Sequence, residues 1–180
     1  MKRARNFNAG PAALPEEVLV KAEKEFLNIN NSGMSVMELS HRSAIFESIH
    51  NQAIQGLKEL LYIPENYEVL LLQGGASLQF SMIPMNLLPA DKHADYVLTG
   101  SWSEKALKEA VKVGDTKVIA SSKDGSYKFI PDVNDLSIDE TAAYLHITSN
   151  NTIYGTQWTD FPSTQSVPLI ADMSSDILSR

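Results

Sequence analysis

The chain has no cysteine, which removes disulfides, thiolate nucleophiles and cysteine-ligated metals together. It has no surplus of positive charge either. Fifteen basic against 22 acidic side chains leave a net −7, the wrong sign for a surface that neutralises nucleic-acid phosphates or anionic lipid. No apolar run approaches the roughly 18 uninterrupted residues of a membrane span. Lys2, Arg3 and Arg5 have the charge of a signal-peptide start, but Asn6, Gly10 and Pro11 intervene before an apolar stretch can form. Without a secretory signal, the sequons Asn30-Asn31-Ser32 and Asn150-Asn151-Thr152 read as turn chemistry. The histidines His41, His50, His93 and His146 lack metal-site spacing, so no metal is expected and satisfied structural histidines are the default. What remains is an ordinary globular composition, 180 residues long and 43% hydrophobic, sufficient for a real core and expected in the cytoplasm.

Residues 1–14 are expected as an extended arm, because Gly10, Pro11 and Pro15 discourage regular structure on either side. Residues 15–180 are expected to form one unit. A first helix is predicted over Glu16–Asn28 and a second over Ser43–Leu61, where Ile45, Ile49, Ala53, Leu57 and Leu60 make one apolar face. An alternation follows: apolar runs at Glu68–Leu72, Tyr96–Leu98, Lys117–Ala120, Tyr144–Thr148 and Pro168–Ala171, with helical patterns at Ser77–Leu88 and Ser103–Val113. This predicts an α/β fold, a mostly parallel sheet of about five strands with flanking helices joined by right-handed crossovers.

Ligands of open α/β sheets sit at the carboxyl ends of the strands, and four such ends carry polar or small residues. Gly74-Gly75-Ala76-Ser77 lies between a strand and a helix, where backbone N–H groups and a helix dipole suit a phosphate. A ligand-free tight turn accounts for the glycine pair equally well. Trp102 follows Gly100, and an indole there can lie against a planar ring or be a core tryptophan. Asp172 ends an apolar strand and needs a partner, either a pyridinium nitrogen or, as a helix N-cap, backbone amides. Arg42, beside His41, suits a carboxylate or phosphate held by two hydrogen bonds, or is a solvated or structural ion pair.

Six strings in order, FNAGPAALP (7–15), GMSVMELSHRS (33–43), LLQGGASLQFSMIPMNL (71–87), TGSWSEKA (99–106), SNNTIYGTQW (149–158) and PLIADMSSDILSR (168–180), resemble the phosphoserine aminotransferase family. That family is a branch of the class V, aspartate-aminotransferase-like enzymes that use pyridoxal 5'-phosphate. The resemblance implies the large domain of a pyridoxal-phosphate transferase fold, incomplete here, with the small C-terminal domain absent. It implies that the backbone at Ala76 and Ser77 binds the cofactor phosphate, Trp102 stacks on the pyridine ring, Thr152 bonds the phenolic oxygen and Asp172 pairs with the ring nitrogen.

Substrate contacts are implied at His41, Arg42 and the arm at Ala9, where some relatives have serine, so that any contact there comes from the backbone. The implied reaction moves an amino group from L-glutamate to 3-phosphohydroxypyruvate, giving 2-oxoglutarate and O-phosphoserine in serine biosynthesis, with a related step in pyridoxine biosynthesis. A homodimer with shared active sites is implied, associated with a C-terminal half. The Schiff-base lysine of the family belongs to a string downstream of Arg180, so no catalytic residue is assigned within the chain and these 180 residues alone are expected to be inactive. The rival readings are another class V enzyme, such as a cysteine desulfurase or a serine–glyoxylate-type aminotransferase, and a non-catalytic phosphate-binding fragment.

Overall fold

A computed structural model describes residues 3–179; Met1, Lys2 and Arg180, which open and close the sequence reading, lie outside the described residues. The chain separates into two compact units, Met1–Leu71 and Leu72–Arg180.

In the first unit, Pro15 precedes helix α1 (Glu16–Glu25), with Glu16 and Glu17 in its first turn and Lys24 in its last, each placed to suit the helix dipole. The helix stops short of the expected Asn28, which is itself non-helical with φ −153° and ψ 72°; beyond it Asn30 and Asn31 take positive φ of 49° and 58°, a conformation asparagine tolerates. Helix α2 (Ala44–Leu60) starts at Ser43, whose Oγ accepts the Phe46 amide at 3.3 Å. Upstream, the Ser35 amide donates to Glu38 Oε2 at 2.8 Å and Ser35 Oγ accepts from Met37 N at 3.4 Å, a reciprocal cap on the start of a one-turn 3-10 helix. Neither α1 nor α2 contains a buried residue.

The second unit holds helix α3 (Gly75–Leu87), strand β1 (His93–Leu98), helix α4 (Ser101–Ala110), β2 (Asp115–Ser121), β3 (Leu145–Thr148), a short hairpin of β4 (Asn150–Asn151) and β5 (Thr156–Gln157), and β6 (Leu169–Asp172). The main sheet runs β2-β1-β3-β6, every pair parallel. The central strands β1 and β3 are buried on both faces, as parallel strands require, and their side chains divide by their period of two. Ala94, Tyr96, Leu98 and Tyr144 join Phe80 of α3 and Ala106 and Ala110 of α4 in one core layer. Val97, Leu145 and Ile147 join Trp158 and Val167 in the other. Among the described residues no helix is long and apolar enough to cross a membrane.

The α/β class and the parallel sheet are as expected, but the predicted strand at Glu68–Leu72 is not formed. The run is rich in leucine, which suits a buried strand, yet a strand also needs a neighbouring backbone to pair with. Here it lies in no ladder, and Leu70, Leu71 and Leu72 are 70%, 52% and 53% exposed. The β4–β5 hairpin, with two residues per strand, was not foreseen; its period is too short to register as a pattern.

Candidate functional site

Three of the four expected strand ends are real, and they share the carboxyl edge of the sheet: β1 runs into α4, β3 into the hairpin, and β6 ends at Asp172. The fourth feature, Gly74-Gly75, stands at the start of α3 without a strand before it. Both glycines have positive φ, 93° and 59°, and a Cβ at Gly74 would run into the Leu78 side chain. The first α3 amide to reach a carbonyl is that of Leu78, donating to Gly74 O at 3.4 Å. The amides ahead of it, at Gly75, Ala76 and Ser77, are the unpaired donors of a helix start, where an anion is favoured.

Asp172 lines a cavity of about 370 Å³ together with Ala76, Phe80, His146 and Ser174. Its Oδ1 accepts from the Ser174 amide at 3.1 Å and from Ser174 Oγ at 2.5 Å, the local turn that aspartate makes with the backbone two residues on. Its other oxygen has no hydrogen bond among the described residues. The capping role weighed from sequence is thus present through one oxygen, and the other is left without a partner among the described residues. Across the ladder Asp172 pairs with Thr148. Ser149 fixes this corner, its amide and Oγ both donating to Asp172 O at 3.0 Å and its Oγ also to Asp176 Oδ1 at 2.6 Å.

Trp102, on the first turn of α4, is partly buried against the same core layer as Ala76. The Lys105 ammonium sits 4.1 Å from its ring centroid, a cation–π contact on one face. Ser103 pins this turn: its Oγ donates to Gly100 O at 2.7 Å and accepts the amides of Thr99 and Gly100 at 3.0 and 3.1 Å. Glu104 accepts from Lys123 Nζ and Tyr127 Oη, both at 2.7 Å, and these two bonds hold its carboxyl below the usual range.

Thr152 is exposed in the turn of the hairpin, where the amides of Tyr154 and Gly155 donate to Asn151 O at 3.1 and 2.8 Å. Asn151 is buried and its Nδ2 donates to Thr99 Oγ1 at 3.1 Å, so the loop bearing Thr152 is tied to the end of β1. Gly100 leaves room for this tie. A Cβ there would stand 2.6 Å from Asn151 Oδ1 and 3.1 Å from Tyr154. Gly100→Ala is therefore expected to lower stability by about 1–3 kcal/mol, since it displaces a buried amide from its partner; an unchanged denaturation midpoint would show that the loop is not tied in this way.

In the first unit, His41 and Arg42 line a hollow with Phe46, Glu47 and His50. Arg42 is exposed and forms no ion pair among the described residues, so the structural-pair reading has no support, and a solvated guanidinium and one that takes an anion both remain. Ala9 is exposed in the arm. The structure therefore brings Ala76 and Asp172 to one cavity, with Ser77 adjoining, Trp102 on the shared core layer and Thr152 on a tied loop. His41, Arg42 and Ala9 belong to the other unit.

The sequence marks Ser149 to Thr152 as a strand end and Ser174 as part of a helix start, but not the bonds that Ser174, Asn151 and Ser149 make. The Asp172-Met173-Ser174 spacing was a usable signal for those of Ser174; buried polar residues such as Asn151 leave none. The expectation of satisfied histidines fails at His146, which is buried with neither ring nitrogen hydrogen-bonded.

The description "Aminotransferase class-V" matches residues 5–180. The chain is 64% identical, over 99% of its length, to a phosphoserine aminotransferase of Lysinibacillus sphaericus and 61% identical, over its whole length, to that of Bacillus subtilis. It spans about half the length of these relatives. A phosphoserine aminotransferase structure concerned with radiation damage of its Schiff base superposes with a TM-score of 0.95 at 60% identity, over 98% of this chain and 49% of that one. A pyridoxal-phosphate-bound phosphoserine aminotransferase from Trichomonas vaginalis superposes at 0.85 with 39% identity, over 95% and 48%. With the family description covering nearly every residue, the chain belongs to the class V aminotransferase family.

Proposed function

We propose that this chain forms the cofactor-binding half of a phosphoserine aminotransferase, which moves an amino group between L-glutamate and 3-phosphohydroxypyruvate to give O-phosphoserine and 2-oxoglutarate. The observation that carries the reading is the cavity with Ala76 at a helix start on one side and a half-free carboxylate, Asp172, on the other. A ligand with an anionic tail and a cationic heterocyclic nitrogen fits that pair of chemistries, and pyridoxal 5'-phosphate has both. The names of the relatives support it further.

In this reading the amides at Ala76 and Ser77, with the Ser77 hydroxyl, hold the cofactor phosphate. Trp102 covers the pyridine ring and keeps water from it. Asp172 holds a proton on the ring nitrogen, and Thr152 donates to the phenolic oxygen. Bound there, pyridoxal phosphate supplies an electron sink for charge developing at the amino-acid α-carbon. Arg42 and His41 grip the substrate's anionic groups, and the Ala9 backbone adds a contact. The unassigned requirement is a base with a covalent amine, and the family resemblance puts that lysine outside these 180 residues. The same resemblance supports a cytoplasmic homodimer with shared sites, a large domain spanning 15–180, and a second role in pyridoxine synthesis.

The test is direct. The complete enzyme, given L-glutamate and 3-phosphohydroxypyruvate, is expected to release 2-oxoglutarate and O-phosphoserine, and no product with that pair would overturn the reading. Residues 1–180 alone are expected to give no turnover with the same substrates and added cofactor; product formation by them would refute the placement of the lysine.

A further inference from the structure

His146 is 1% exposed on β3, inside the second unit, and has no role among those assigned above. Its ring stacks on Tyr96 at 4.9 Å and 19°, and Phe80 meets it edge-on at 6.4 Å. Held between two rings, the imidazole has little freedom to turn toward a partner, and neither of its nitrogens has one. A buried imidazole with an unmet donor and an unmet acceptor is rare enough to call for a physical reason. The ring lines the same cavity as Asp172. His146 and Thr148 lie two residues apart on β3, on the same face, and their ladder partners are Ile170 and Asp172. Thr148 Oγ1 is also buried without a partner.

We propose that His146 is a positioning residue for Asp172, donating a hydrogen bond through one bound water to the carboxylate oxygen that Ser174 leaves free. This rests on the reading of Asp172 as the partner of a cofactor ring nitrogen. A buried water needs two to four polar partners, and the imidazole, Thr148 Oγ1 and the Asp172 oxygen supply three. Burial drives the His146 pKa down to about 4, with the Asp172 charge pulling weakly the other way, so at neutral pH the ring is an uncharged donor. That distinction matters to the chemistry. A cationic neighbour would compete with the ring nitrogen for the carboxylate's charge, whereas a neutral donor orients the carboxylate and leaves its charge intact.

The test is a double-mutant cycle in the complete enzyme, read as the dissociation constant of pyridoxal phosphate titrated into apoenzyme. His146→Leu is expected to weaken binding about tenfold when Asp172 is present and less than about twofold when it is Asn, the size of one hydrogen bond to a charged group. His146→Gln, which still donates, is expected to restore most of the loss. Equal loss in both backgrounds, no loss, or failure of Gln to rescue overturns the inference. Should the Leu variant not fold, the ring ¹⁵N shifts of His146 in the unsubstituted enzyme and in Asp172→Asn decide it: a change supports the link and identical shifts overturn it. If Asp172→Asn alone leaves cofactor affinity untouched, the cofactor assignment falls and this inference with it; a loss that is not coupled to His146 sinks the inference alone.

Discussion

Asp172→Asn in the complete enzyme is expected to lower kcat on the order of a hundred- to a thousandfold, the scale of removing one pre-placed electrostatic partner from a reacting centre. An amide has no charge to hold a proton on a ring nitrogen, so the electron sink weakens. Folding should change little, within about 1 kcal/mol, because the asparagine Oδ1 can still accept from the Ser174 amide and hydroxyl that bond Asp172 now. The measurement is kcat at saturating cofactor alongside a denaturation curve. Unchanged turnover would reject Asp172 as the ring's partner, and parallel loss of stability would make its role structural.

Acid is expected to destabilise the protein between pH 6.5 and 4 through His146. Its pKa falls from the ordinary 6.5 to about 4 in the fold because burial disfavours the charged ring. Between those values the unfolded chain binds a proton that the folded chain refuses, so stability rises with pH across the window and is whole above it. The fully buried ring can contribute about 3 kcal/mol over that span. Asp139 acts elsewhere: bonds from Thr141, and then Lys117, hold its carboxyl at about 2, so what it contributes is present above 3.8 and lost as pH falls through about 2. Urea denaturation at several pH values, for the protein and for His146→Gln, separates these. A variant with the same slope between pH 4 and 6.5 would show that the burial of His146 carries no such penalty.

Helices and their starts were legible in the sequence because they depend on local spacing and local caps. Ser43, Pro15 and Gly74 each act within one turn, and α1, α2, α3 and α4 all begin within two residues of the expected place. Strands β1, β2, β3 and β6 were legible as apolar runs, most clearly β1 and β3, whose burial on both faces leaves no polar alternation to misread. The run at Glu68–Leu72 has the same signature and forms no strand, because composition reports how a residue would pack but not whether another backbone is there to pair with it. At the site, Gly74 to Ser77, Trp102 and Asp172 were visible as punctuation at element ends. Ser149 and Asn151 were visible as a strand end and His146 as a strand residue, but their partners were not: each is polar at a position a core residue would fill, and which carbonyl, carboxylate or cavity it meets is set by strands distant in sequence.

The sheet order β2-β1-β3-β6 also bears on how the molecule is made. A chain leaving the ribosome presents β1 first, then β2 for one flank, β3 for the other, and β6 for the flank that β3 has just exposed. Every newcomer docks on an open margin, and none has to wedge between strands already joined. Crossover sheets are slow to fold because distant segments must meet, but this order lets each meeting happen as synthesis delivers the segment. Of these four strands β6, which ends at Asp172, is then the last to join.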